Sequence, residues 1–145
     1  MRYATSIRCL AALISNPHAS NSPFTYTVHK NRYALITYPK LLMAAVNGRG
    51  AIGIAVTLLL HCDIVYCSQR SKFWIPFTRL ALVPEFASGH LLPKICGKAR
   101  TNRLLLLGEE ITAREAAGEF GIVTRVVDSS SSKDVVQTLV DDVER

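Results

Sequence analysis

The residues best placed to do chemistry in this sequence form a glycine-containing turn between two apolar runs. The run Leu41–Val46 predicts a buried strand, and the run Ile54–Leu60 predicts a buried helix. A strand that turns through glycine into a helix directs the first N–H groups of the helix toward one point, where the helix dipole favours negative charge. The turn at Gly53 and Ile54 is therefore compatible with a site for a phosphate or an oxyanion.

The same turn contains a literal GxGxxG pattern at Gly48, Gly50 and Gly53, which is the fingerprint of dinucleotide-binding Rossmann folds. Such a fold needs an acidic residue about 20 residues further on, at the end of a second strand. No acidic residue lies between Asp63 and Glu85, and Asp63 stands at the start of its predicted strand. A Rossmann-like nucleotide-binding module is therefore kept as a less favoured alternative. The sequence has no GKS or GKT, which excludes a P-loop.

The elements around this turn alternate between strands and helices, a pattern that predicts an α/β fold with a parallel sheet. Thr112 and Glu115 have the spacing of a capping box, which marks the start of a helix. The further predicted strands are Ile64–Cys67, Lys72–Trp74 and Ile122–Val127, and the predicted helical segments are a stretch from Phe86 with a break near Pro93 and Gly97, then Ala99–Leu107, then Val135–Val143.

Composition and charge indicate a folded domain and exclude several classes of protein. Of the 145 residues, 49% are hydrophobic and 19% charged, which excludes a disordered tail. The best candidate for a membrane span, Leu41–Leu60, is interrupted by Asn47, Arg49 and three glycines. The net charge of +6 arises in residues 1–62, where cations are scattered and acidic residues are absent, so we do not expect nucleic-acid binding.

The N-terminal part of the chain is expected to differ from the rest. Residues 1–34 predict a poorly determined segment, whose acid-free composition in residues 1–23 suits a mitochondrial transit peptide as well as a terminus without function. Residues 24–38 predict a strand, or a strand leading into a helix. Residues 129–132, four serines, predict a linker or the start of a helix.

The four cysteines indicate neither a metal site nor disulfide bonds. They form no CxxC pair, and no histidine lies at ligand spacing from a pair of them. We interpret them as free thiols, mostly buried, in a reducing compartment. His61 and His90 have no evident partner in the sequence and are interpreted as structural.

Six motifs in a fixed order resemble the crotonase superfamily of enoyl-CoA hydratases and isomerases, and most strongly its enoyl-CoA delta isomerase branch. The resemblance covers about residues 35–145 and implies an α/β, crotonase-like ββα spiral fold with parallel strands and flanking helices. The motifs are PKLLMAAVNG at 39–48, GIAVTLLLHCD at 53–63, FWIPF at 73–77, LALVPEFAS at 80–88, LGEEITAREA at 107–116 and GIVTRVV at 121–127.

The resemblance also implies that this chain holds only part of the fold. Members of the superfamily are much longer, and their upstream half supplies the first strands, much of the CoA-binding loop and one N–H group of the oxyanion hole. We therefore expect residues 35–145 to be a partial crotonase-like domain. The homotrimer of the family is a possible assembly that this shorter chain is not expected to retain.

The resemblance assigns the glycine turn to the oxyanion hole that holds an acyl-CoA thioester. The backbone N–H of Ile54 would be one donor, with Gly53 supporting the turn. Hydratases of the superfamily carry two glutamates at positions where this chain has Thr57 and Phe77. Because both carboxylates are needed to manage the added water, hydration is not expected.

Glu85 matches the glutamate of the isomerase branch, which carries a proton between two carbons of the acyl chain. Without the resemblance, a glutamate before an apolar helix is more often a cap or a partner of the helix dipole. With it, we expect Glu85 to be catalytic, with Pro84, Phe86 and other apolar neighbours desolvating the carboxylate. The residues expected to line the acyl pocket are Trp74, Phe77 and Leu82.

The expected function is therefore the isomerisation of 3-enoyl-CoA to 2-trans-enoyl-CoA in fatty-acid β-oxidation. Coenzyme A enters as part of the substrate, and no separate cofactor and no metal is expected. The resemblance implies a location in the peroxisome or the mitochondrion. The alternative within the same family is a catalytically inactive remnant that binds acyl-CoA or pairs with full-length relatives.

Overall fold

The computed structural model of the chain describes residues 33–128 and 134–144. Along these residues single strands or pairs of strands are followed by helices, and the strands form two sheets of three strands each. In chain order the elements are β1 (Met43–Val46), β2 (Gly50–Ile52), α1 (Ile54–Leu59), β3 (Ile64–Ser68), β4 (Lys72–Trp74), a 3-10 helix (Thr78–Leu80), α2 (Ser88–Leu105), β5 (Glu110–Thr112), α3 (Ala113–Gly118), β6 (Arg125–Val127) and α4 (Val135–Val143).

The first sheet has the order β1-β3-β6, and all its pairs are parallel. All four residues of β1 are buried because both faces of the sheet are covered. Met43 and Ala45 pack with residues of α4 on one face, whereas Ala44 and Val46 join the main core on the other. This double burial explains why β1 appears in the sequence as a continuous apolar run. The predicted parallel α/β fold is confirmed.

The second sheet, β2-β4-β5, contains one antiparallel pair that the sequence did not predict. Strand β2 is parallel to β4, whereas β5 runs antiparallel to it. Each strand has three residues and buries only the middle one, which is Ala51, Phe73 or Ile111. A strand this short shows no alternation of apolar and polar residues, so β2 and β5 could not be recognised from periodicity. The prediction of β4 is confirmed.

Two helix predictions are confirmed in detail. Thr112 and Glu115 form the capping box of α3, since Glu115 N–H donates to the Thr112 hydroxyl and Thr112 N–H donates to the Glu115 carboxylate. The Thr112 backbone N–H, with its hydroxyl, holds the pKa of Glu115 below its ordinary value. Helix α4 spans Val135–Val143 as predicted, and Asp134 caps it by accepting from Gln137 N–H.

Helix α2 differs from its prediction. It begins at Ser88, continues through Pro93 and ends at Leu105, two residues before the predicted end. The break falls only at Gly97, where φ is 79° and ψ is 163°, so α2 consists of two helical halves joined at a kink. Pro93 lacks the N–H that would bond to the carbonyl four residues earlier, but the helix continues through it.

Several predictions concern residues outside the described ranges. They include the transit peptide at 1–23, the segment 24–32 and the serine run at 129–132; residues 33–36 form a helical turn. The domain boundary at residue 34 stays a prediction. Within 33–128 and 134–144, no helix combines the length and apolarity that a membrane crossing requires.

Gly50 is the position where the fold is least tolerant of a side chain. Its φ is 136°, and a Cβ there would overlap the backbone carbonyl of Lys72 in the paired strand β4. We predict that Gly50→Ala lowers the free energy of unfolding by about 3 kcal/mol or more, because backbone must move apart. Urea unfolding of the full chain measures this effect.

Gly118→Ala is the matched control. Gly118 is the last residue of α3, and a Cβ there meets nothing within 4 Å. The control is expected to raise the free energy of unfolding by about 0.5 kcal/mol, as alanine does in helices. Equal unfolding midpoints for the two variants would contradict the close approach of β2 and β4.

Candidate active site

The glycine turn has the geometry that its sequence predicts. Gly53 adopts φ 59° and ψ −120° at the N-cap of α1, and its N–H donates to the Trp74 carbonyl oxygen at 2.7 Å. The N–H groups of Val56 and Thr57 both donate to the Gly53 carbonyl, as the first bonds of the helix. The N–H of Ile54 therefore stands at the first helical position, where a helix offers no internal acceptor.

The Rossmann interpretation of the same glycines is not supported by this geometry. The fingerprint requires a strand, a tight turn and a helix in direct succession. Here Gly50 belongs to β2, a separate strand paired with β4, so only Gly53 lies at the helix start. Strand β1 and helix α1 are thus separated by another strand of a different sheet.

Thr57 and Phe77, the positions expected to lack hydratase glutamates, are both packed in the interior. Thr57 is fully buried, and its hydroxyl donates to the Ile54 carbonyl oxygen at 3.0 Å. Phe77 is buried against the glycine turn, where its Cε1 atom lies 3.8 Å from the point that a Cβ of Gly53 would occupy. Neither position offers a titratable group to this region.

Trp74 and Leu82, expected in the acyl pocket, lie in different surroundings. Trp74 is half-buried, and its indole N–H donates to the Gly108 carbonyl oxygen at 2.8 Å. The guanidinium of Arg79 lies 5.5 Å from the centre of its ring. Leu82 is 52% exposed, although its N–H donates to the Phe77 carbonyl at 2.8 Å. The acyl-pocket assignment stays a prediction.

Glu85 lies in the segment between the 3-10 helix and α2, and it is half-buried. Its expected apolar cover is uneven, since Leu82 and Val83 are 52% and 78% exposed whereas Phe86 is buried. Glu85 is not the N-cap residue of α2, since Ala87 occupies that position and makes no side-chain cap bond. The backbone of Glu85 does close the turn, as its carbonyl accepts from Ser88 N–H at 3.0 Å.

The turn after Glu85 is strained. Phe86 and Ala87 adopt φ values of 52° and 56°, in the left-handed region that residues with a Cβ seldom occupy. Two such residues in succession cost roughly 1–3 kcal/mol each. Strain of this kind persists only where neighbouring groups hold the backbone in place.

His61, which was interpreted from the sequence as structural, contacts this turn. Its Nε2 atom lies 3.0 Å from the Phe86 carbonyl oxygen. The two rings also pack together, with centroids 4.1 Å apart and planes inclined by 37°. Because the bond joins a side chain to a backbone carbonyl 25 residues away, no motif or spacing could have predicted it.

Helix α1 therefore connects the two groups of predicted site residues. Gly53, Trp74 and Phe77 meet at its N-terminal end. The turn that carries Glu85 is attached just beyond its C-terminal end, through His61. From Ile54 to His61 the helical rise spans about 10 Å.

Comparison with known proteins agrees with this architecture. Residues 10–144 match the family model of enoyl-CoA hydratase/isomerase. The chain belongs to the enoyl-CoA hydratase/isomerase family. A solved enoyl-CoA hydratase/isomerase from Pseudoalteromonas atlantica T6c superposes with a TM-score of 0.75 and 39% identity, over 86% of this chain and 47% of that one.

Two curated members of the family are similar over most of this chain. Enoyl-CoA delta isomerase 3, peroxisomal, of Mus musculus is 44% identical over 103 residues, which is 71% of this chain and 32% of that protein. The 1,2-epoxyphenylacetyl-CoA isomerase of Escherichia coli is 40% identical over 105 residues, which is 72% of this chain and 39% of that protein. The chain thus spans about a third of the length of these relatives.

Two thiols, those of Cys62 and Cys67, are protected from ionisation. Burial, with a smaller contribution from the charge of Asp63, raises the pKa of Cys62 from 9.0 to about 11. Burial alone raises the pKa of Cys67 from 9.0 to about 12. The interpretation of the cysteines as free thiols is confirmed for Cys62, Cys67 and Cys96, and Cys9 lies outside the described residues.

We predict slow alkylation of Cys62 and Cys67 in the folded chain, because the reactive species is the thiolate. At pH 8, iodoacetamide labelling of both should be faster in urea than in buffer, as followed by peptide mass spectrometry. Since the folded chain retains these protons above the ordinary pKa of 9.0, its free energy of unfolding should fall as the pH rises from there toward 11 or 12. Equal labelling rates in buffer and urea would contradict the burial of these thiols.

Proposed function

We propose that this chain isomerises 3-enoyl-CoA to 2-trans-enoyl-CoA, a step of fatty-acid β-oxidation. The observation that carries the proposal is the placement of Glu85. Its half-buried side chain sits on a turn attached to α1, the helix whose first N–H groups would face the thioester oxygen. The similarity to an enoyl-CoA delta isomerase supports the same reaction.

The reaction requires one proton to leave C2 and one to arrive at C4. Glu85 would remove the C2 proton, and the C2–H electrons would form a dienolate extending from the thioester oxygen to C4. The protonated carboxyl would then deliver a proton to C4, which leaves the double bond between C2 and C3. One carboxylate can perform both transfers, since it is restored at the end of each cycle.

The developing charge on the thioester oxygen needs a donor. The N–H of Ile54 would provide it, at the positive end of the α1 dipole. Gly53 fixes the direction of that N–H, because its own N–H is bonded to the Trp74 carbonyl oxygen. A single donor of this kind is typically worth about 2.7–4 kcal/mol of transition-state stabilisation.

Isomerisation is favoured over hydration by the residues at two positions. Hydration would need two carboxylates, one to activate the water and one to protonate C2. The expected positions hold a buried threonine and a buried phenylalanine, Thr57 and Phe77. The proposed reaction adds no atoms and transfers no electrons to a carrier, so coenzyme A enters only with the substrate. No separate cofactor is proposed.

We further propose that the chain acts in an organelle of fatty-acid oxidation, the peroxisome or the mitochondrion. The support is the name of the mouse relative, which describes that protein as peroxisomal. Imaging of the tagged full chain against markers of both organelles tests this location, and a uniform cellular signal would contradict it.

Glu85→Gln is expected to lower kcat by roughly 10²–10⁴-fold, the usual contribution of a general acid–base group. The amide has the size of the carboxyl but cannot accept the C2 proton. Formation of the conjugated thioester from a 3-enoyl-CoA, followed by absorbance with the purified full chain, measures the effect.

Glu144→Gln is the matched control for this experiment. Glu144 is an exposed carboxylate at the C-cap of α4, so its substitution should leave turnover unchanged. Equal background rates in the unaltered chain and the Glu85 variant would overturn the proposed activity. Retained binding of acyl-CoA in that case would identify the inactive remnant instead.

If one carboxylate acts at both C2 and C4, it should also transfer an isotope label from C2 to C4. With a 3-enoyl-CoA deuterated at C2, we expect part of the deuterium at C4 of the product, because Glu85 would hold the same proton between the two transfers. Nuclear magnetic resonance of the product made in ordinary water measures the retained fraction. Complete absence of deuterium at C4, even in the first turnover, would indicate separate acid and base groups.

A further inference from the structure

We propose that His61 is a positioning residue that holds the turn carrying Glu85 in its strained conformation. The inference rests on the proposed function for its effect on turnover, but its structural part can be tested independently. His61 touches the backbone of Phe86 and the Phe86 ring, so it acts on Glu85 through the neighbouring residue.

The contact defines which nitrogen of His61 carries a proton. The Phe86 carbonyl oxygen can only accept a hydrogen bond, so the Nε2 atom 3.0 Å away must be the donor. His61 therefore donates from Nε2, and its ring is packed against Phe86 at 4.1 Å between centroids. With that nitrogen engaged by the backbone, we assign His61 a restraining role instead of a role in proton transfer.

The turn requires such a restraint because its backbone is unfavourable by itself. Phe86 and Ala87 are both left-handed without being glycine. The bond from Ser88 N–H to the Glu85 carbonyl closes the turn from inside. The bond from His61 restrains the turn from a neighbouring element, because it is made to the Phe86 carbonyl in the peptide group between the two strained residues. Loss of the outer bond would let φ relax and would move the Glu85 carboxylate.

His61 can restrain the turn because it is itself fixed to the core. Its N–H donates to the Leu58 carbonyl at 3.1 Å, at the end of α1. Asp63, two residues later, makes two hydrogen bonds to Leu42, the residue before β1. Leu42 N–H donates to the Asp63 carboxylate, and Asp63 N–H donates to the Leu42 carbonyl, each at 2.8 Å. The donor therefore sits between a packed helix and the parallel sheet.

Two substitutions separate the hydrogen bond from the packing. His61→Phe keeps a ring against Phe86 but removes the donor, whereas His61→Gln keeps an N–H near the position of Nε2. We expect His61→Phe to lower kcat about 10–100-fold with KM changed less than about threefold, the range found when a supporting contact is lost. His61→Gln should restore most of the lost turnover. His90→Gln, on the exposed face of α2, is the control and should match the unaltered chain.

A second readout does not depend on activity. Amide hydrogen exchange at Ser88 reports the closure of the turn, because its N–H is bonded to the Glu85 carbonyl. We expect faster exchange at Ser88 in His61→Phe, with exchange in the β1-β3-β6 sheet unchanged, and near-normal exchange in His61→Gln.

The two readouts distinguish the failure of this inference from that of the proposed function. An unaltered chain without turnover would overturn the isomerase proposal, and the exchange rates would still decide whether His61 holds the turn. Unchanged exchange at Ser88 in His61→Phe would overturn the inference. So would equal impairment of the phenylalanine and glutamine variants, since the retained N–H donor of the glutamine would then make no difference.

Discussion

The hydrogen bond from Gly53 N–H to the Trp74 carbonyl oxygen governs the geometry on which the candidate site depends. It extends the pairing of β2 and β4 by one bond beyond Ile52 and Trp74, and so fixes where α1 begins. The bond is available only because β2 approaches β4 closely at Gly50, where no side chain fits. The direction of the first helical N–H groups is thus determined by sheet pairing and not by the six-residue helix, which is too short to orient itself.

The same helix gives the site its second fixed point. Val56 and Leu59 anchor α1 in the main core, so its two ends keep a constant separation. One end presents the N–H of Ile54, and the other continues into His61 and its bond to the turn of Glu85. The proposed oxyanion donor and the proposed proton-transfer carboxylate are therefore attached to one rigid body, which is the arrangement that preorganised catalysis requires.

Sequence patterns predicted the parts of this fold that are governed by local or repeated signals. The buried strand β1, the strand β4, the capping box of Thr112 and the apolar stripe of α4 each carry such a signal. Strands β2 and β5 were not predicted because a strand of three residues shows no periodicity. The left-handed turn was not predicted either. A glycine would have indicated positive φ values there, but the positions hold Phe86 and Ala87. The role proposed for Glu85 rests on family resemblance, whereas the contact of His61 with Phe86 required the structure.

The separation of contacts along the chain has a consequence for the order of folding. The hydrogen bond between His61 and Phe86 in the site joins residues that are 25 positions apart in the sequence. The bond between Val65 and Thr124, which joins β3 to the segment before β6, spans 59 positions. The difference in loop-closure entropy is only about 0.8 kcal/mol, so chain length alone barely favours the shorter closure. The shorter closure is favoured because the strands and α1 between residues 50 and 74 are contiguous in sequence. A folding nucleus can therefore form there before β6 is in place.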